Sequence, residues 1–136
     1  MEEASIFTRI IQGEIPCHKV YEDAQTLAFM DIQPIQPGHV LVVPKRQVGF
    51  VWDLSTEEYQ ALMATVQKVG KRLREVFPKA KRVGVMIEGL DVANHCHVKV
   101  FPFSTMEQYR HVPDLSEPDH ASLASLAEKL RMEDEV

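Results

Sequence analysis

The 136-residue chain has few of the features that mark several protein classes. It has two cysteines, Cys17 and Cys96, far apart and without a CxxC pair. That excludes a disulfide scaffold and leaves free thiols suited to a reducing cytoplasm. No apolar run reaches membrane-spanning length. Met1–Glu2–Glu3–Ala4 lacks the basic start and apolar core of a signal peptide, so no membrane contact is expected. Cationic residues are outnumbered, 15 Lys and Arg against 20 Asp and Glu, and the net charge of −5 argues against a general nucleic-acid binder. The six glycines form no phosphate-cradling loop. No acidic metal cluster, internal repeat, low-complexity tract or linker is visible.

What is present reads as globular. Apolar residues make up 45 % and charged residues 26 %. The length suits one domain over residues 1–136, able to bury roughly two thirds of its unfolded surface. Ser5 is a helix N-cap, with Ile6, Phe7, Ile10 and Ile11 at helical spacing and Gly13 as the stop. Strand-like runs follow at His18–Glu22, Thr26–Ile32 and His39–Val43. Val48–Leu54 is irregular or a single helical turn, anchored to the core by Trp52. Ser55–Thr56–Glu57–Glu58 is a capping-box start for a helix to about Val76. Its basic far end, Lys68 to Arg74 and on to Arg82, reads as a solvated face. Val83–Ile87 and His95–Phe101 are the fourth and fifth strands, and Phe103–Val112 resists assignment. A last helix runs from about Ser116 to Met132, before an acidic end, Glu133–Asp134–Glu135, expected to fray.

One stretch carries the chemistry. In Asn94–His95–Cys96–His97–Val98–Lys99–Val100, two histidines and a lysine alternate with apolar residues. On a strand they share a face, about 6.7 Å apart. Three nitrogen-bearing side chains in a row are costly to bury without partners, and an anionic phosphorus centre would supply them. A neutral imidazole can attack phosphorus near pH 7 without a prior base. Two other readings stay open: zinc held by His95, His97 and His39, or core histidines satisfied by carbonyls. Asp31 follows Phe29 on one strand face and could hold a ribose beside a base, but reads more simply as a turn initiator before Gln33–Pro34. His39, alone on its strand, reads as structural unless that strand lies beside the one carrying His97.

His95-x-His97-x-Lys99, before Phe101–Pro102, resembles the motif of the histidine-triad (HIT) nucleotide hydrolases and transferases, with lysine in the third histidine slot. The similarity runs from Ser5 to Phe103. It includes Ser5–Pro16, similar to the family's opening helix, and Phe29–Pro34 with Gly38–Lys45, similar to its second and third strands. The resemblance implies an α+β fold: a five-stranded antiparallel sheet, a long central helix and a short N-terminal helix, with a C-terminal extension beyond residue 103. It implies a base pocket of Ile6, Phe7, Ile10, Phe29 and Ile32, and Asp31 on the ribose hydroxyls. His39 and His95 would lie close to the phosphate, with His97 as the nucleophile on the α-phosphorus of a nucleoside phosphoramidate, adenylate or dinucleoside polyphosphate. The implied partners are a purine nucleotide or nucleotide conjugate and a second copy of the chain.

The sequence departs from the family's pattern in four places. Lys99 offers phosphate a cation but no imidazole to shuttle a proton near pH 7. That leaves an alternative function, a nucleotide-binding sensor or interaction module with little catalysis. Ile87 stands where the family often has Asn or Gln. The Gly89–Asn94 loop looks short, and Asn94 would supply a phosphate donor instead. Some members bind structural zinc through a CxxC in the opening helix and a later histidine. Ser5, Thr8 and Gln47 fill those slots here, so no metal and no cofactor are expected.

Overall fold

The computed structural model describes residues 3–136. Met1 and Glu2, part of the N-terminus expected to lack a signal peptide, lie outside them. The order is α1 (Ile6–Ile11), β1 (Lys19–Glu22), β2 (Thr26–Met30), β3 (Val40–Pro44), α2 (Thr56–Val76), β4 (Arg82–Met86), β5 (Val98–Phe103), α3 (Met106–Tyr109) and α4 (His120–Leu130), with a 3₁₀ turn at Val51–Asp53 before α2. The strands form one antiparallel sheet in the order β1-β2-β3-β5-β4. This is the expected α+β architecture. The β3 strand lies directly beside β5, with Leu41 opposite Lys99. That is the condition under which His39 gains interest.

Alternation sorts the strand residues onto two faces. Ala28, Met30, Val40, Val42, Val98 and Val100 face α2 and α4 and form the main core with Leu62, Val66, Val69 and Leu73 of α2. Each of these four buried aliphatics contributes about 1.5–3 kcal/mol. The capping box at Ser55 and Glu58 is formed, and Arg46 grips Glu58 with two hydrogen bonds, of 2.6 and 2.8 Å. On the opposite face Leu27, Phe29, Leu41 and Val43 pack beneath Phe7 of α1. This second face carries His95, His97 and Lys99, while Cys96, Val98 and Val100 belong to the main core.

Several expectations are corrected. The β5 ladder begins at Val98; His95, in a bend, and His97 precede it, fixed by the Cys96 amide donating to Val48 O at 2.7 Å. The C-terminal helix begins at His120, because the Asp119 side chain caps it. The unassigned stretch contains the end of β5 and one helical turn, α3. Trp52 is no anchor: the 3₁₀ turn buries Val51 and leaves Trp52 81 % exposed. Nor does the acidic end fray. Glu135 takes a salt bridge from Lys68 and a hydrogen bond from Tyr21, its amide donates to Glu22 O, and Asp134 pairs with Lys19 and Arg131. The cations that hold it come from β1, α2 and the end of α4. Part of the basic helix face is therefore used, with Arg72 also donating to Lys129 O.

Candidate functional site

Helix α1 is short and depends on its cap. Ser5 Oγ accepts the Thr8 amide at 2.9 Å. The same oxygen lies 2.6 Å from His95 Nδ1. His95 Nε2 is 2.8 Å from the Pro44 carbonyl, an acceptor only, so Nε2 carries the proton and Nδ1 accepts from the Ser5 hydroxyl. Thr8 Oγ1 donates to Gln47 Oε1 at 2.7 Å, and Gln47 Oε1 also accepts the Ser5 amide at 2.8 Å. Ser5, Thr8 and Gln47 thus form a hydrogen-bonded cluster around His95.

The cluster fixes the next imidazole in turn. His97 Nδ1 lies 3.0 Å from the His95 carbonyl, so Nδ1 donates and Nε2 keeps its lone pair. The ring is held edge-on by Phe7, with centroids 5.1 Å apart. His97 is 2 % exposed, and among the described residues its Nε2 makes no hydrogen bond. It faces a cleft of about 650 Å³.

One part of the cleft wall is apolar: Ile6, Phe7, Ile10, Ile15, Phe29 and Ile32. Asp31, His97, Lys99 and Asp91 bring polar groups, and His18 and His120 add two imidazoles 3.0 Å apart. A largely apolar cleft with a few convergent polar groups is the usual form of a small-molecule site. His39, His95 and Asn94 do not line it. His39 lies behind Asp31, with Nε2 3.4 Å from Asp31 Oδ2 but without hydrogen-bond geometry. His95 is fully buried behind His97.

Burial sets the charges. Desolvation raises the Asp31 carboxyl to about 6, against the pull of the Gln33 amide and Lys99. Desolvation, with Lys99 and His97 nearby, drops His39 to about 3. His39 is therefore neutral at pH 7, with Nδ1 accepting the Ile35 amide at 2.9 Å. Lys99 is raised: its bonds to Asp91 at 2.8 Å and Glu88 at 3.1 Å outweigh desolvation, the largest single influence, which acts to lower it. The cation expected to meet phosphate is thus already paired.

The sequence reading missed Glu88 and Asp91, which lie in the turn after β4. Donor atoms of Glu88, Asp91 and His97 all fall within 4.8 Å of one another. The trio has the donor types of a divalent-metal site, but such an ion would have to displace the Lys99 ammonium from both carboxylates. The reading also missed Ser5 as the support of His95, and His18 and His120 at the cleft. The capping signal at Ser5 was legible; its second partner, ninety residues away, was not.

Comparison with known proteins matches residues 12–106 to the HIT domain. The chain is 43 % identical over 68 residues to the adenosine 5′-monophosphoramidase hnt1 of Schizosaccharomyces pombe, covering 50 % of this chain and 51 % of that protein. It is 45 % identical over 62 residues to the purine nucleoside phosphoramidase of Escherichia coli, covering 46 % and 52 %. The chain thus spans about half the length of the curated relatives it matches. Among solved structures, a Hit-like protein involved in cell-cycle regulation from Bartonella henselae superposes with a TM-score of 0.79 at 30 % identity, over 96 % of both chains.

Proposed function

Because the chain belongs to the HIT domain family, we propose that it hydrolyses a purine nucleoside 5′-phosphoramidate or related nucleotide conjugate, with His97 as the nucleophile. The observation that carries this reading is the buried His97 ring, whose Nδ1–H is committed to the His95 carbonyl while Nε2 faces the cleft. Relatives named as phosphoramidases support the substrate class. The apolar wall suits a purine. Asp31, ionised above about pH 6, can accept hydrogen bonds from ribose hydroxyls.

In the proposed reaction the Nε2 lone pair forms an N–P bond as the P–N bond of the substrate breaks. The departing nitrogen takes that bond's electron pair and a proton from solvent water, and leaves as the amine. Water then attacks phosphorus, the N–P bond breaks, its electrons return to Nε2, and the proton released returns to solvent. The net change is phosphoramidate plus water to nucleoside monophosphate plus amine. The chain supplies placement and charge, as is usual for phosphoryl transfer.

Hydrolysis of adenosine 5′-phosphoramidate tests this. His97→Ala should lower the rate by roughly 10³-fold or more; equal rates would remove His97 from the mechanism. A second reading, binding with little turnover, is favoured by the pairing of Lys99 with Glu88 and Asp91. Calorimetry with AMP beside the rate assay separates the two: tight binding with no turnover, and turnover appearing in Lys99→His, would favour the sensor.

We also propose that two copies pair along β4, an edge strand whose Val85 is 43 % exposed, with Ile87 just beyond it 39 % exposed. Among the described residues no helix is long and apolar enough to cross a membrane. The unpaired Cys17 and Cys96 support a cytoplasmic location, which cell fractionation would check.

A further inference from the structure

We propose that Glu88 and Asp91 select the charge of the group attached to the nucleotide's phosphorus, favouring an amine that carries a second, cationic ammonium and disfavouring phosphate tails. This rests on the reading of the cleft as a nucleotide site with phosphorus at His97.

The argument begins with position. Asp91 lines the cleft beside His97 and Lys99. Carboxylate oxygens of Glu88 and Asp91 lie within 4.8 Å of a His97 ring nitrogen and of each other. His97 is itself 2 % exposed, with Nε2 lacking a hydrogen-bond partner among the described residues, so the carboxylates border a polar group built to meet a ligand. A group carried on phosphorus at Nε2 therefore lies in the field of both carboxylates.

Charge follows from the pairing. Lys99 is one ammonium, its side chain 5 % exposed, and it contacts both carboxylates. One positive and two negative charges leave a net −1 at the phosphorus end. A phosphate tail entering there finds no free cation on Lys99 and meets like charge. An ammonium tail meets the surplus charge. The Asp91 side chain is 57 % exposed and that of Glu88 29 %, so both are open to solvent beside Lys99. The wall of Ile6, Ile10, Ile15 and Phe29 offers a charged tail nothing, which fixes which end of the ligand lies near Asp91.

The test uses three adenosine 5′-phosphoramidates of near-equal size, with N-(2-aminoethyl), N-propyl and N-(2-carboxyethyl) groups. For the wild-type chain kcat/KM should fall in that order, by about tenfold per unit of charge at low salt. Glu88→Gln and Asp91→Asn, made singly so that Lys99 keeps one carboxylate, should each shrink the cation-to-anion ratio several-fold. Added salt should do the same. The ratio, not the rate, is the readout, so partial loss of activity in a variant leaves it legible. Equal ratios in the wild type and both variants, or a wild-type preference for the anionic tail, would overturn the proposal. Calorimetry with the matching non-hydrolysable phosphonates reads the same ratio from binding. A chain with no turnover at all would therefore defeat the reading of the cleft as a hydrolase site, while the charge preference stood or fell on its own.

Discussion

Asp31 and His39 form a buried pair whose opposed shifts should cancel in the pH dependence of stability. Asp31 moves from 3.8 to about 6 on folding, and His39 from 6.5 to about 3. Taken alone, Asp31 contributes stability below its unfolded value that is lost as pH rises through about 6. A carboxyl displaced that far contributes about 3 kcal/mol. His39 has the opposite sign: its contribution is present above the unfolded value and is lost as pH falls toward 3, over a span of about 5 kcal/mol. Between pH 4 and pH 6 the folded pair holds one proton, on Asp31. The unfolded pair also holds one, on His39. Equal proton counts mean zero slope from the pair. Removing either member unmasks the other at about 1.4 kcal/mol per pH unit. Urea unfolding at pH 6 and pH 4.5, each variant compared with the wild type, reads this directly. Asp31→Asn should lose about 2 kcal/mol on going to pH 4.5, and His39→Gln should gain about 1.5 kcal/mol. Each corresponds to a midpoint shift of about 1 M urea. Comparison with the wild type removes the shared acid loss of surface carboxylates such as Asp134, held near 2 by Arg131 and Lys19. Two variants that track the wild type at both pH values would refute the opposed shifts.

Two further outcomes are expected. In Ser5→Cys/Thr8→Cys/Gln47→His the cluster around His95 should bind one zinc per chain, with His95 Nδ1 as fourth ligand and its Nε2–H still donating to the Pro44 carbonyl. Elemental analysis should find the metal, and a hundredfold excess over Kd should raise the melting temperature by roughly 10 °C; no bound zinc would mean that the oxygens and nitrogen do not mark a tetrahedral site. For pairing along β4, sedimentation equilibrium should give the mass of two chains for the wild type, and Val85→Lys, a charge placed on the edge, should halve it. A wild-type chain that sediments as a monomer at 100 µM, on the order of ordinary working concentrations, would end that proposal.

Much of the fold was legible because local rules and tertiary packing agree. The capping box before α2, the alternation in β2 and the Ser5 cap each name an element that the sheet then uses. The alternation of His95, His97 and Lys99 with Cys96, Val98 and Val100 was readable in the same way, whereas the apolar wall of α1 and β2 was implied only by the family resemblance. What escaped depends on distant partners. Lys99 reads as a free cation until the turn after β4 folds Glu88 and Asp91 onto it. Glu133–Glu135 reads as a solvated tail until Lys19, Lys68 and Arg131 surround it. Trp52 reads as an anchor because it is large, but the 3₁₀ turn needed only one inward residue and took Val51.

The Ser5 hydroxyl has a consequence for how variants of this chain are interpreted. A six-residue helix cannot persist in water by itself. Its first turn is held by the same oxygen that hydrogen-bonds His95 Nδ1, and the His95 carbonyl in turn orients the ring of His97. The apolar wall and the imidazole therefore share a single point of support. Losses of melting temperature and of turnover at Ser5 are one event seen twice, and cannot be apportioned between scaffold and chemistry.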